Sequence, residues 1–354
     1  MKKIILIITM LVISFSTSAQ SLLDKPAALV KLTETEVISS KKVNQNITLL
    51  EANAKRILTE VEKKTVLDSM IDSALVVQAA KKENISIPMT QVKQYGIAQV
   101  SKSVNRQLTE TEFNQFVEQQ LKQPVDVYLK ELEKQLMIQK YITEKGRVDF
   151  ENIPQPSESE IQTAYTKEEM TFVNPEMRRV SHVFFTFVIN GSQNPRLMDS
   201  TEKETVRINA ESVLRTLKNG TLTFEEAVRT KSEDPQSKIK AGDIGFIIKN
   251  DQAAMQIFGA SFVDQVYTMN VGEYKLLESN AGYHIVKVTD KINKKFLVLD
   301  DQVNPMEETT VRQYIAQRLY VIKQQEMFQT VSERVVKELR DKAEVTFYLQ
   351  NLGW

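Results

Sequence analysis

The chain has 354 residues, of which 42% are apolar and 26% charged, a globular composition with length for two or three domains. Lys+Arg and Asp+Glu both number 46, which argues against a dedicated nucleic-acid binder with its basic surplus. Cysteine is absent, so disulfides, thiolate catalysis, Cys-ligated zinc and a lipidated N-terminal Cys are excluded, and only two histidines remain for imidazole chemistry.

Met1-Lys2-Lys3, an apolar run from Ile4 to Phe15 and the small residues Ser16 to Ala19 read as a secretory signal peptide, residues 1–19, cleaved after Ala19. The apolar run is shorter than a spanning helix needs, and no second segment is long and apolar enough. The expectation is an exported, periplasmic protein without stable membrane insertion.

Residues 20–150 form an N-terminal helical segment. Ala28 to Leu32 reads as a strand. Residues 48–83 carry apolar side chains at helical spacing, broken once near Lys63. Pro88 ends that unit, and Thr90 is expected to cap a helix through Val104. Thr109 and Glu112 make a capping box before Phe113. Pro124 suits the first turn of a helix through Tyr141. Residues 151–176 are a proline-bearing linker and a short helix, opened by Ser157 with Glu160 and ended by Pro175.

From Val180 the pattern becomes mixed. Val180 to Ile189 is rich in Val, Phe and Thr and predicts a strand. Glu202 to Leu217 predicts a helix that stops at Asn219-Gly220. Phe224 to Thr230 predicts a short helix, and Gly242 to Ile248 a turn and strand. Phe258 to Met269 is expected to be helical. Tyr274 to Leu277 and Tyr283 to Val288 predict strands around a turn. Within residues 293–354, Val311 to Arg340 is a long amphipathic helix and Val345 to Leu349 a closing strand.

His182 and His284 lie 102 residues apart in predicted strands. No His-Glu-x-x-His spacing, Gly-x-Ser-x-Gly elbow, Walker glycine pattern or Rossmann glycine pattern accompanies them, so no metal and no cofactor is expected. Their surroundings are more informative. Ser181-His182 is followed by Ala210-Glu211, Leu217-x-x-Gly220, Phe224, Ser232-Glu233-Asp234-Pro235, Gly242-Asp243-Ile244-Gly245-Phe246, Gly272-Glu273 and Gly282-Tyr283-His284-Ile285. This order resembles the parvulin-type peptidyl-prolyl isomerases over residues 177–292.

The resemblance implies a small antiparallel sheet flanked by helices, and a site for proline-containing peptides. His182 and His284 match the family's paired histidines, and Asp234 its neighbouring Cys or Asp. Ile244 and Phe262 match the apolar proline site, with Met255 or Phe258 as a third member. Ser279 is a candidate polar contact. The segment Ile247 to Ser261 and the loop Asn190 to Thr201 are longer than in compact parvulins, and Gln265 stands where the family usually has Ala.

The flanks resemble SurA-type periplasmic chaperones. The carrying segments are Val66 to Asp72 with Ala79-Ala80-Lys81, Ile87-Pro88-Met89-Thr90 and Thr109 to Phe113. The fold class implied is α+β: an all-helical chaperone core formed by the N- and C-terminal segments, with an inserted parvulin-like domain. Implied partners are unfolded or nascent envelope proteins, outer-membrane proteins among them, and no nucleic acid. Two other readings stay open, an exported isomerase whose helices only recruit, and a non-catalytic parvulin fold.

Overall fold

The computed structural model describes residues 24–189, 195–305 and 307–354. Residues 1–19, which the sequence reads as a signal peptide, and part of the Asn190 to Thr201 loop lie outside the described residues.

In chain order the elements are β1 (Pro26–Lys31), β2 (Thr35–Ser39), α1 (Ser40–Ala54), α2 (Glu60–Lys82), α3 (Met89–Ser103), α4 (Glu110–Gln119), α5 (Val125–Lys145) and α6 (Arg147–Glu151). Next come α7 (Glu158–Glu168), β3 (Val173–Asn174), β4 (Met177–Thr186), β5 (Val188–Ile189), β6 (Arg196–Leu197), α8 (Ser200–Lys218), α9 (Phe224–Lys231) and α10 (Pro235–Lys238). The remainder is β7 (Asp243–Ile248), α11 (Gln252–Phe258), α12 (Ala260–Thr268), β8 (Tyr274–Glu278), β9 (Gly282–Ile292), β10 (Lys295–Phe296), α13 (Val311–Arg340) and β11 (Glu344–Phe347). No helix of the described residues is long and apolar enough to cross a membrane.

Two compact units result. The first joins the described residues up to Gln155 to Tyr320–Trp354. Its sheet has the order β11-β1-β2, so the two terminal strands pair antiparallel, Ala28 with Phe347 and Val30 with Val345. Leu67, Ile71 and Leu75 of α2 share a core with Val331, Val335 and Leu339 of α13. Buried Gln78 fixes the β1–β2 turn, its Oε1 accepting from the amides of Leu32, Thr33 and Glu34. Val92, Phe113, Val117 and Leu132 of α3 to α5 make a second cluster.

The second unit is Pro156–Leu319. Its antiparallel sheet has the order β7-β4-β9-β8. Strand alternation sends Val183, Phe185 and Ile285 to one face, packed on Ala210, Val213 and Leu217 of α8 and Phe224 of α9. It sends Val180, Val286 and Val288 to the other, packed on Phe262, Val263 and Val266 of α12.

Several boundaries differ from the sequence expectations. The first helix begins at Ser40 rather than 48, because Ser39 accepts from the Lys42 amide and caps it. The break falls at Lys55 to Thr59, not near Lys63. Lys55 ends α1 in the left-handed region (φ 53), and Thr59 with Glu62 restarts the chain as a capping box. Pro88, not Thr90, holds the N-cap position of α3, and Pro124 is the N-cap of α5 rather than part of its first turn. A 3-10 turn at Glu169–Thr171 and β3 end α7 before Pro175. The helix expected from Phe258 to Met269 begins only at Ala260 as α12, and a further helix not expected from the sequence, α11, precedes it across Gly259. The closing strand stops at Phe347. Residues 293–354 do not all pack on the N-terminal segment. Leu297, Leu299, Val311 and Ile315 form a core with Ile161 and Phe172 inside the second unit.

Candidate active site

His182 is central in β4 and His284 lies near the start of β9, and the register pairs His284 with Phe184. Residues two apart on a strand share a face, so His182, Phe184 and His284 meet on the side covered by α11 and α12. Both histidines are buried, and their Nδ1 atoms are 2.8 Å apart. Phe184 stacks on His182 (5.7 Å, 15°) and tilts against His284 (4.7 Å). Phe262 stands edge-on to His284 at 5.1 Å and stacks on Phe258 at 4.9 Å. Phe258 is itself edge-on to His284 at 6.0 Å.

The backbone at His182 allows no side chain opposite. Gly242 (φ 85) accepts from the His182 amide at 2.8 Å, and a Cβ there would lie 2.7 Å from His182 O. The turn of chain just before Gly242 includes α10, which Asp234 caps by accepting from the Gln236 and Ser237 amides. This places Asp234 Oδ2 3.1 Å and Ser237 Oγ 3.0 Å from His182 Nε2. At the other end, Ser279 Oγ is 2.7 Å from His284 Nε2.

Hydrogen positions follow from the partners. Asp234 is ionised: burial pulls its pKa up, but hydrogen bonds from Ser237, His182 and the Gln236 amide outweigh this and leave it lowered. A carboxylate only accepts, so His182 Nε2 carries a proton. His182 Nδ1 is then the acceptor, and His284 Nδ1–H donates to it. His284 Nε2 is left to accept from the Ser279 hydroxyl, whose oxygen accepts from the amides of Ala281 and Gly282. Donors thus run one way, from Ser279 through both rings to Asp234.

Neither ring is charged at neutral pH. Burial lowers the pKa of His182 against the pull of Asp234. Burial and the neighbouring His182 push His284 down to about 3. All four ring nitrogens have partners inside the protein, so neither imidazole offers a free base or nucleophile. No group of His, Cys, Asp or Glu that could hold a metal ion occurs among the described residues.

The structure brings His182, His284, Asp234, Phe258 and Phe262 together. Ile244 and Met255 are half-buried and pack on the cluster around Phe262. Met255 and Phe258, posed as alternatives in the sequence, both reach that cluster. Ser279, expected as a polar contact for the peptide, is buried; its Oγ lies 2.7 Å from His284 Nε2 and accepts from the amides of Ala281 and Gly282, so in this structure it holds the histidine. Sequence reasoning missed Ser237 and Phe184. The i, i+3 spacing of Asp234 and Ser237 in a capped turn, and the i+2 spacing of His182 and Phe184, were the available signals.

Residues 163–292 match the PPIC-type PPIASE domain family. The chain is 36% identical over 70 residues to foldase protein PrsA 2 of Bacillus cereus, covering 20% of this chain and 22% of that protein. It is 30% identical over 91 residues to chaperone SurA of Shigella dysenteriae, covering 25% of this chain and 20% of that protein. The matches span about a fifth of the length of these curated relatives. A solved structure of a SurA-like chaperone from Campylobacter jejuni overlaps at TM-score 0.33 and 17% identity, covering 90% of this chain and 99% of that one. Residues 163–292 of the chain therefore carry a domain of the PPIC-type PPIASE kind.

Proposed function

We propose that the second unit isomerises Xaa-Pro peptide bonds, and that the first binds unfolded envelope proteins, outer-membrane proteins among them, in the periplasm after loss of residues 1–19. The observation that carries the isomerase reading is the neutral His182–His284 pair, closed on itself and walled by Phe184, Phe258 and Phe262. Rotation about the amide faces a barrier of about 18–20 kcal/mol set by its partial double bond. At the twisted state the amide loses conjugation and charge separation, so an apolar wall without a competing base favours it over the planar form. No covalent step is needed.

On this reading the half-buried Phe258, Met255 and Ile244 hold the proline ring, the fully buried Phe262 backs them, and the histidines shape the floor. Asp234 and Ser237 orient His182, and Ser279 orients His284. The chaperone half of the proposal is supported by similarity to SurA and PrsA and by exposed apolar side chains on the first unit such as Ile57 and Val61. An exported isomerase whose helices only recruit, and a non-catalytic parvulin fold, are the competing readings.

The deciding experiment is NMR exchange on a short Xaa-Pro peptide with the intact protein and with His284→Ala. Acceleration by the wild type that vanishes in the variant supports the isomerase. No acceleration by a folded wild type sinks it for that substrate class. Suppression of aggregation of an unfolded outer-membrane protein then tests the first unit separately.

A further inference from the structure

Helix α11 has seven residues, too few to persist in water without help. Its ends are tied from outside its own ladder. At the N-terminus Asp251 accepts from the Ala253 amide at 2.9 Å. At the C-terminus Gly259 sits at φ 91, ψ 148, a region that a Cβ closes off, and turns the chain directly into α12. Such a break strands carbonyls of the last helical turn. Met255 O receives the Gly259 amide at 2.9 Å. Gln256 O receives a side chain from a different element, Asn280 Nδ2, at 3.1 Å. Asn280 Oδ1 also lies 3.7 Å from where a Cβ on Gly259 would stand, so its amide group fits against the junction itself.

Asn280 belongs to the β8–β9 turn, directly after Ser279. One turn therefore does two things. Ser279 holds His284 from below, and Asn280 holds the helix that sets Met255 and Phe258 over it.

We infer that Asn280 is a positioning residue for proline-peptide binding, a latch that keeps α11 closed on the histidine pair. This rests on the isomerase reading and adds a residue that touches neither histidine. The latch acts on substrate affinity, because Phe258 and Met255 move with α11. It leaves the Ser279–His284–His182–Asp234 chain in place, so turnover of bound peptide is unaffected.

The test uses the full chain with Asn280→Ala and Asn280→Asp. The second keeps the shape and removes the donor. Removing one net neutral hydrogen bond should speed exchange of the Gly259 amide about threefold and raise KM for an Xaa-Pro peptide about threefold, with kcat within about twofold of wild type. Unchanged Gly259 exchange in both variants overturns the latch, whatever happens to KM. A fall in kcat at constant KM overturns it too. Should the wild type fail to isomerise peptides, the isomerase reading is the casualty, and the exchange measurement alone decides whether Asn280 latches α11.

Discussion

His182 Nδ1 and His284 Nδ1 face each other at 2.8 Å, with one proton between them. Two rings so placed cannot both be charged without burying two like charges in contact. The outer nitrogens are bound as well, to Asp234 and Ser237 on one side and Ser279 on the other. The pair is therefore a fixed neutral surface.

The first prediction concerns pH. In the unfolded chain each histidine takes up a proton near pH 6.5, whereas in the folded chain both resist it, His284 down to about 3. The unfolded state thus binds more protons below pH 6.5. The stability owed to the neutral pair is fully present above that pH and is lost as pH falls toward the folded values. The slope is roughly 1.4 kcal/mol per pH unit for each excluded proton. Asp234, held below its ordinary value, adds a loss only near pH 4 and below. Denaturant midpoints of the second unit should fall between about pH 7 and about pH 5, and His284→Gln should flatten the slope by about one proton. Peptide exchange should stay flat over the same range, and a histidine-shaped step in it would contradict the neutral pair.

The second prediction separates Asp234 from Ser237, which share His182 Nε2. Asp234 sets the direction of the donor chain because it only accepts. In Asp234→Asn the new amide can donate to His182 Nε2, which reverses the chain and asks Ser279 to accept from His284. Catalysis should drop roughly tenfold, the scale of a lost tautomer-orienting contact of about 1.4 kcal/mol. Ser237→Ala leaves the carboxylate in place and should cost only about 1 kcal/mol of stability. Ring-nitrogen NMR shifts read the tautomers directly: exchange of the protonated nitrogens in Asp234→Asn, no change in Ser237→Ala.

Much of this arrangement was legible in the sequence, for reasons that differ by element. Val311 to Arg340 was readable from end to end, because apolar residues recur at helical spacing on both sides of the polar stretch 323–326 until the chain turns at Asp341. The strands bearing His182 and His284 were readable because β-branched and aromatic residues crowd them. Strand β2 and the start of α1 were not, since Lys41, Lys42, Asn44 and Asn46 hide the spacing of Val43 and Ile47. The break at Gly259 depends on one backbone angle inside an otherwise helical pattern. The bond from Ser279 to His284 was not legible, because a serine in a turn looks the same whether its hydroxyl faces solvent or a buried imidazole. Ser237 and Phe184 need the folded register to bring them to His182 and His284.

A third prediction distinguishes the two stacked phenylalanines. Phe262 is fully buried beneath the histidines, whereas Phe258 is half-buried on α11. Phe262→Ala leaves a cavity and should cost about 3–5 kcal/mol, enough to threaten the second unit. Phe262→Leu keeps most of the volume, should cost less, and tests the wall without unfolding it. Phe258→Ala should cost about 1–2 kcal/mol, because the site is partly open and α11 can settle inward. Its main effect should be a raised KM. Thermal unfolding followed with peptide titration checks both. A Phe258→Ala variant with unchanged KM would remove Phe258 from the peptide-binding wall.

The last prediction concerns the first unit, where the C-terminal end of α13 is held to α2. Arg340 Nε lies 2.5 Å from Asp72 Oδ1, and its Nη2 donates to Asp68 O and reaches Asp68 Oδ1 at 3.3 Å. Leu339, beside it, is part of the shared core. Burial pushes the Asp72 carboxyl up, and Arg340 pulls it back without fully offsetting the shift. Arg340→Ala leaves that carboxylate next to Asp68 with no counter-charge. The side chains are a third exposed, so the loss should be about 2 kcal/mol, below that of a fully buried pair. If the unpaired charge is the cause, Asp72→Asn in the Arg340→Ala background should recover about half of it. A double variant no more stable than Arg340→Ala would place the cost in lost packing of the arginine stem along α2 instead. Chemical denaturation of the two variants beside wild type decides between them, read from the helix signal at constant pH.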